Sequence, residues 1–406
     1  MKLDINEIIA KFKYDPSSVK KDKTAEGRDI YLARVSYRYE YFKRICLVLL
    51  VLIIVAFIFS GSISYENFYY LVKDVGLARN YVSTVHDTVT YNIGNSQSFA
   101  LYREGIAVAS RESFYIFSAD GRELFSSRQS YSNPALYSSD KYVLLCDIGG
   151  KQFSLYNSFS RVREETLDAP VYGAAISKSG DFAIITASEK YDSTVKVYRE
   201  NGREYDYGFA SGRVLCVAFS DNGTRMAVAL AFSEGDSVRC EIRAYNVGSD
   251  SYDSKPLTFS GLAYEVKMLD GGNIAVVGKH GVNVFTSNLL LLGEYLPERE
   301  IYSYGFGENN IAVSHLAPDG ALTQTVCLDI WANPTRRLTS AEATLDLELC
   351  GGYMFVQRLS GFERVSVLTG RSVAVSIPAN EFKMACDGTD GLVMFAPSYA
   401  KFLSFE

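Results

Sequence analysis

From about Val85 to its end the chain repeats a unit of roughly forty residues, and little else folds that way. Each unit has a strand-like run, then a hairpin with two apolar arms, then a more polar strand. The hairpins begin near Gly105, Lys141, Asp181, Arg225, Asn273, Asn310, Tyr353 and Gly391, at spacings of 36 to 48 residues. Turn pairs punctuate the runs: Asp120-Gly121, Gly149-Gly150, Asn201-Gly202, Asn222-Gly223, Asp270-Gly271 and Asp319-Gly320. No amphipathic helical segment of ten residues or more interrupts them. One four-stranded unit cannot bury both of its faces, whereas units stacked radially can. The period and strand count therefore predict an all-β fold, an eight-bladed β-propeller, with seven blades as the alternative.

The last unit has only three strand-like runs: Glu381 to Cys386, Leu392 to Phe395, and Lys401 to Glu406. An early segment, Thr88 to Ile93, alternates Val89, Tyr91 and Ile93 ahead of the first full unit. It is expected to lie beside Lys401–Phe405 and close the ring, since two open edges would invite aggregation.

A second feature divides the chain. Ile45 to Ile63 reads ICLVLLVLIIVAFIFSGSI and carries no charge. As a helix it would extend about 29 Å, near the roughly 30 Å of a hydrocarbon core. Tyr37, Tyr39, Tyr41 and Phe42 precede it, and Tyr65, Phe68, Tyr69 and Tyr70 follow, as in interfacial aromatic belts. Residues 1–44 hold eleven Lys and Arg, and the next after the stretch are Lys73 and Arg79. The positive-inside rule then puts the N-terminus in the cytosol and the body outside. A cleaved signal peptide is the competing reading, but 44 residues is a long charged leader. The expected organisation is a cytosolic basic tail (1–44), a single-pass transmembrane helix (45–63), a stem (64–84) and an extracytoplasmic propeller (85–406).

Charge supports that division. The net charge of −6 combines +4 in residues 1–44 with −10 after Ile63. A basic tail suits an anionic inner leaflet, and an acidic body excludes the basic face that nucleic acid requires. The tail contains one patterned element. Ile5, Ile8, Ile9 and Phe12 fall at i, i+3, i+4 and i+7, which makes an apolar stripe on a short helix. Short helices are marginal alone, so the stripe reads equally as a frayed segment or as a surface for a partner protein. Seven cysteines are present, Cys46 in the apolar stretch and six scattered without CxxC spacing. Over 300 residues of core do not need disulfides, and free, buried thiols are expected.

The clearest repeat is Ala218-Phe219-Ser220-Asp221-Asn222-Gly223-Thr224-Arg225-Met226-Ala227, matched by Ala175-Ile176-Ser177-Lys178-Ser179-Gly180-Asp181-Phe182-Ala183. This turn resembles the one joining the first two strands of blades in WD40-like and quinoprotein-like propellers. The later turns Tyr115–Glu123 and Val197–Glu204 fit the same group. With one anchor and a basic tail, the chain resembles an uncharacterised family of membrane-anchored propellers in clostridia-type bacteria. That resemblance implies a fold and no activity.

Catalytic signatures are missing. One tryptophan, Trp331, cannot supply the repeated docking motif of quinone-dependent propellers, and there are no WD dipeptides. His86, His280 and His315 lie in different units and read as surface or turn histidines. Ser220-Asp221-Asn222-Gly223 only faintly matches a sialidase Asp box, its Asp standing one place early. No cofactor or metal is expected. The expected role is a scaffold or tether binding a protein or an envelope polymer. The rival is an extracytoplasmic glycan-active hydrolase or lyase, which needs two carboxylates and an arginine converging in the central funnel.

Overall fold

The computed structural model describes residues 39–53, 88–91, 98–103, 105–118, 121–158, 160–377, 383–386, 391–403 and 405. The chain divides into two compact units, Met1–Thr84 and Val85–Glu406.

In the first unit, residues 39–53 are helical with mostly exposed side chains. Among the described residues no helix is long and apolar enough to cross a membrane. The apolar stretch overlaps this helix over 45–53, and its remainder lies outside the described residues, as does the tail stripe of Ile5, Ile8, Ile9 and Phe12.

The second unit is an eight-bladed propeller, eight sheets of four antiparallel strands each. The blades cover 98–128, 134–166, 171–209, 213–256, 263–295, 301–340, 346–375 and, for the eighth, 383–403 with 88–90. We letter the strands A to D from the axis outward. In blades 1–7 the sheet order follows the chain. A strands of neighbouring blades lie side by side around the axis, and blade 8 returns to blade 1. Every predicted hairpin start falls within two residues of an observed B strand, from Gly105–Ala109 to Leu392–Phe395.

Burial explains the repeat. B strands such as Gly105–Ala109, Phe182–Thr186 and Ile274–Gly278 are buried at every position. Each is covered on both faces by adjacent blades, so alternation gives way to a continuous apolar run. D strands such as Arg161–Thr166 and Tyr252–Pro256 form the outer edge, where charges blunt unwanted pairing. Blades interlock through aromatic clusters. Between blades 2 and 3, Phe182 and Tyr198 stack at 4.8 Å, and Phe153 lies 5.3 Å from Tyr198.

Closure follows the predicted route. Thr88–Thr90 forms the D strand of blade 8, with Thr88 opposite Lys401, Val89 opposite Ala400 and Thr90 opposite Tyr399. Val89 and Tyr91 join one core cluster with Ile106 and Val108 of blade 1 and Val393 and Phe395 of blade 8. The N-terminal strand thus closes both a sheet and an inter-blade core.

Antiparallel order sends the A–B and C–D turns to one end of the propeller and the B–C and D–A loops to the other. The C–D turns are stereotyped. Arg199 N–H donates to Arg203 O at 2.8 Å, and Gly202 N–H to Arg199 O at 2.9 Å, with Gly202 at φ +80°. Blade 6 repeats this with Asp329, Asn333 and Ala332, but Ala332 holds φ +58° without being glycine. Cys146, Cys240 and Cys327 are free, buried thiols, and burial pushes the thiols of Cys146 and Cys216 up.

Candidate functional site

Two features converge over blades 5–7, at the end carrying the B–C and D–A loops. The first is a set of bulges. A strands of blades 3, 4, 5 and 6 each carry an irregularity at the same place: Val171/Gly173, Val214/Cys216, Ala263/Glu265 and Ile301/Ser303. A bulge re-aims the residue it contains. Here that residue is Tyr172, Leu215, Tyr264 or Tyr302, and the three tyrosines stand 50%, 39% and 44% exposed. Tyr302 is pinned: its hydroxyl lies 3.0 Å from Thr323 Oγ1 and accepts from Thr344 N–H at 3.3 Å. The ring of Tyr264 stacks on Tyr304 at 6.0 Å. Exposed leucines of the adjoining loops, among them Leu262, Leu316, Leu345 and Leu359, extend the apolar surface. The same end carries Glu298, Asp319 and Glu342, while Glu300 is paired with Lys279 at 2.8 Å. Arg299 is exposed between Glu298 and Glu300 and donates to Pro318 O at 3.1 Å, so this end is apolar with an excess of acids over bases.

The second feature is the axial channel beneath. Asp346 and Glu348 alternate with buried Leu347 and Leu349 on the A strand of blade 7, and so face the axis. Glu265 lies on the A strand of blade 5, two positions from Lys267, with Tyr304 of blade 6 beside it. Asp346 and Glu348 are half-buried, while Glu265 is more open to water. That burial pushes the Glu348 carboxyl up to about 8, with Asp346 adding to the rise and Lys267 opposing it. Glu265 is raised by the same burial against the pull of Lys267 and Tyr304. Asp346 is raised too, although Leu347 N–H at 3.0 Å and Met384 N–H at 3.4 Å hold its charged form. The cations that oppose these rises are Lys267 and Lys383.

Neither feature was identified from the sequence. The bulge tyrosines have a readable signal once repeats are aligned: Val171-Tyr172-Gly173, Ala263-Tyr264-Glu265 and Ile301-Tyr302-Ser303 share a position. The channel acids show as charges at alternate positions of otherwise apolar strands. Two histidine readings differ in outcome. His280 sits at a turn as expected, 3.9 Å from Glu300. His315 does not: it is buried on the B strand of blade 6, with Nε2 2.8 Å from the Tyr295 hydroxyl and Nδ1 2.8 Å from Leu316 O. A carbonyl only accepts, so Nδ1 carries the proton and Nε2 accepts from Tyr295. Burial was tolerable because both nitrogens are satisfied. His86 lies outside the described residues.

At the opposite end, a cleft of about 110 Å³ between blades 6 and 7 is lined by turn residues including Asn310, Gly352 and Tyr353. It is below the size of an ordinary small-molecule site.

Comparison with solved structures returns propellers. Sqt1 from Saccharomyces cerevisiae matches with a TM-score of 0.59 at 10% identity, over 79% of this chain and 98% of that one. BamB from Moraxella catarrhalis matches at 0.55 and 11%, over 79% and 99%. Sqt1 from Chaetomium thermophilum, bound to the N-terminus of the ribosomal protein L10, matches at 0.57 and 12%, over 78% and 98%. At such identities the likeness is one of fold. No curated protein matches in sequence. A protein family does: the model of the family of unknown function DUF5711 matches residues 79–329, and the chain belongs to that family.

Proposed function

We propose that this is a single-pass membrane protein with a cytosolic N-terminal tail and an extracytoplasmic propeller that binds a protein partner, as a scaffold or tether. The observation that carries the binding role is the end of blades 5–7, where bulges turn Tyr264 and Tyr302 outward among exposed leucines. Exposed apolar surface of this kind marks interaction sites. Its acidic members select a partner segment carrying both basic and apolar residues. A propeller of the same fold, Sqt1, binds the N-terminus of a ribosomal protein, which shows that the fold can hold a peptide. Anchoring and orientation rest on the uncharged stretch Ile45–Ile63 and the Lys/Arg excess before it. The tail stripe of Ile5, Ile8, Ile9 and Phe12 would dock a second partner in the cytosol or membrane.

The test combines topology and binding. Protease added to intact protoplasts should remove the propeller and spare the tail; the opposite pattern would reverse the orientation. The full chain bearing Tyr264→Ser and Leu345→Ser should fold normally yet lose a crosslinked protein that the unaltered chain retains. Equal crosslinking by both would discard this end as the binding surface.

One observation favours the alternative of a glycan-active hydrolase or lyase. A carboxyl raised to about 8, like that of Glu348, is protonated at neutral pH and suited to general acid work. Glycan cleavage abolished by Glu348→Gln would establish that reading, and an envelope polymer would then be substrate instead of ligand.

A further inference from the structure

We propose that the opposite end of blades 5–7, the one carrying the C–D turns, rests on the surface of the lipid bilayer, with Leu290, Trp331 and Leu368 at the water–lipid boundary. This rests on the membrane anchoring proposed above.

The C–D turns differ in composition from blade to blade. In blade 3 the turn tip is Glu200-Asn201-Gly202, and in blade 4 it is Gly248-Ser249-Asp250. In blades 5, 6 and 7 the corresponding turns present Leu290, Trp331 and Leu368, which are 64%, 52% and 87% exposed. These tips adjoin one another. The main chain at Trp331 packs so closely on Gly293 of blade 5 that a Cβ there would lie 1.9 Å from the Trp331 oxygen. Arg336 of blade 6 donates to Val367 O at 3.1 Å and Leu368 O at 2.8 Å in the C–D turn of blade 7. The three apolar tips therefore form a row along one edge.

The chain also comes into the propeller at this end. The C strand of blade 8, Tyr399–Leu403, leaves a B–C loop and runs toward the end with the C–D turns. Thr88–Thr90 pairs with it antiparallel, Thr88 opposite Lys401 and Thr90 opposite Tyr399. The N-terminal strand must then rise from the C–D end, in the blade next to blade 7. Residues 64–87 connect the apolar stretch to this point, a span of at most about 80 Å even when fully extended. The chain thus enters the propeller at the end that carries the row of Leu290, Trp331 and Leu368.

The side-chain chemistry fits a lipid interface. Tryptophan is amphipathic and favours the headgroup level, and leucine partitions into the acyl boundary. Arg337, exposed on the D strand of blade 6, and Arg371, exposed in the C–D turn of blade 7, supply cations for lipid phosphates; Glu294 on the same edge and Asp270 and Glu308 on the A–B turns of this end are exposed acids.

Trp331 is the only tryptophan of the chain, so its fluorescence reports this one site. The full chain is reconstituted in vesicles of phosphatidylcholine and phosphatidylglycerol, with and without brominated acyl chains. Emission should shift to the blue relative to detergent, fall by about half with brominated lipid, and resist iodide. The double variant Leu290→Ser, Leu368→Ser should lose the bromolipid quenching while staying in the membrane pellet after a carbonate wash. Trp331 open to iodide and indifferent to bromolipid would overturn the proposal. So would shielding from both quenchers, which would mean that protein covers the row. Release of the unaltered chain by carbonate would overturn the anchor itself, and the proposal with it.

Discussion

The Tyr91 hydroxyl lies 2.8 Å from the main-chain carbonyl oxygen of Tyr399, a residue 308 positions later. The Ala396 carbonyl is nearer still, at 2.5 Å. The two ends of the propeller are thus joined by a side-chain hydrogen bond as well as by the pairing of Val89 with Ala400. Burial pushes the Tyr91 phenol up, so it remains a donor at any ordinary pH.

Closure should dominate stability. A chain beginning at Gln97 should melt well below one beginning at Tyr81, because it loses the D strand of blade 8 and the buried Val89 and Tyr91. Val89→Asp should act in the same direction, by about 3 kcal/mol, for placing a charge in an apolar cluster. Tyr91→Phe should cost about 1 kcal/mol, one buried hydrogen bond. Thermal melts of the four chains decide it, and equal midpoints for the two lengths would remove the role of the strand.

Glu348 should make the propeller less stable as pH rises. Its carboxyl is held up to about 8 in the fold against an ordinary value of 4.5. The folded state therefore binds the extra proton between those values, and stability falls through that window. Glu265 and Asp346, also raised, act with the same sign. The melting temperature should drop from pH 5 to pH 9, and Glu348→Gln should flatten that fall by a few degrees. Parallel slopes in the two proteins would show that Glu348 titrates normally.

Two C–D turns offer a matched comparison. Gly202 has φ +80° with nothing near the position of a Cβ, so Gly202→Ala should cost about 1 kcal/mol from backbone strain alone. Ala332 already carries that strain at φ +58°. Ala332→Gly relieves it but removes a buried methyl worth about 0.8 kcal/mol, leaving a change near zero. Urea unfolding of both variants gives the contrast; a loss of more than about 2 kcal/mol in Ala332→Gly would mean that packing outweighs strain there.

Some residues could not be interpreted before the fold was known. His315 looks, in sequence, like any polar residue near a turn, because its acceptor–donor pair with Tyr295 joins two different blades. Asp181 is similar. It is buried, accepts from Glu200 N–H at 2.8 Å, and sits 3.3 Å from Arg199, so this residue at the start of a hairpin also clasps the C–D turn of its own blade.

The sequence by itself determined the repeating four-stranded unit and the closing strand, and it favoured eight blades over seven, which the eight sheets of the structure decide. Those follow from local causes: turn residues every few positions, apolar runs where a strand is covered on both faces, and one unit short of a strand. Only the tertiary structure decided what meets at the axis and at the two ends. Glu265 and Glu348 share a channel, and Leu290, Trp331 and Leu368 share an edge, because each blade is turned about a common axis relative to the last. That rotation makes neighbours of residues some forty or eighty positions apart, and no local pattern along the chain encodes such a meeting.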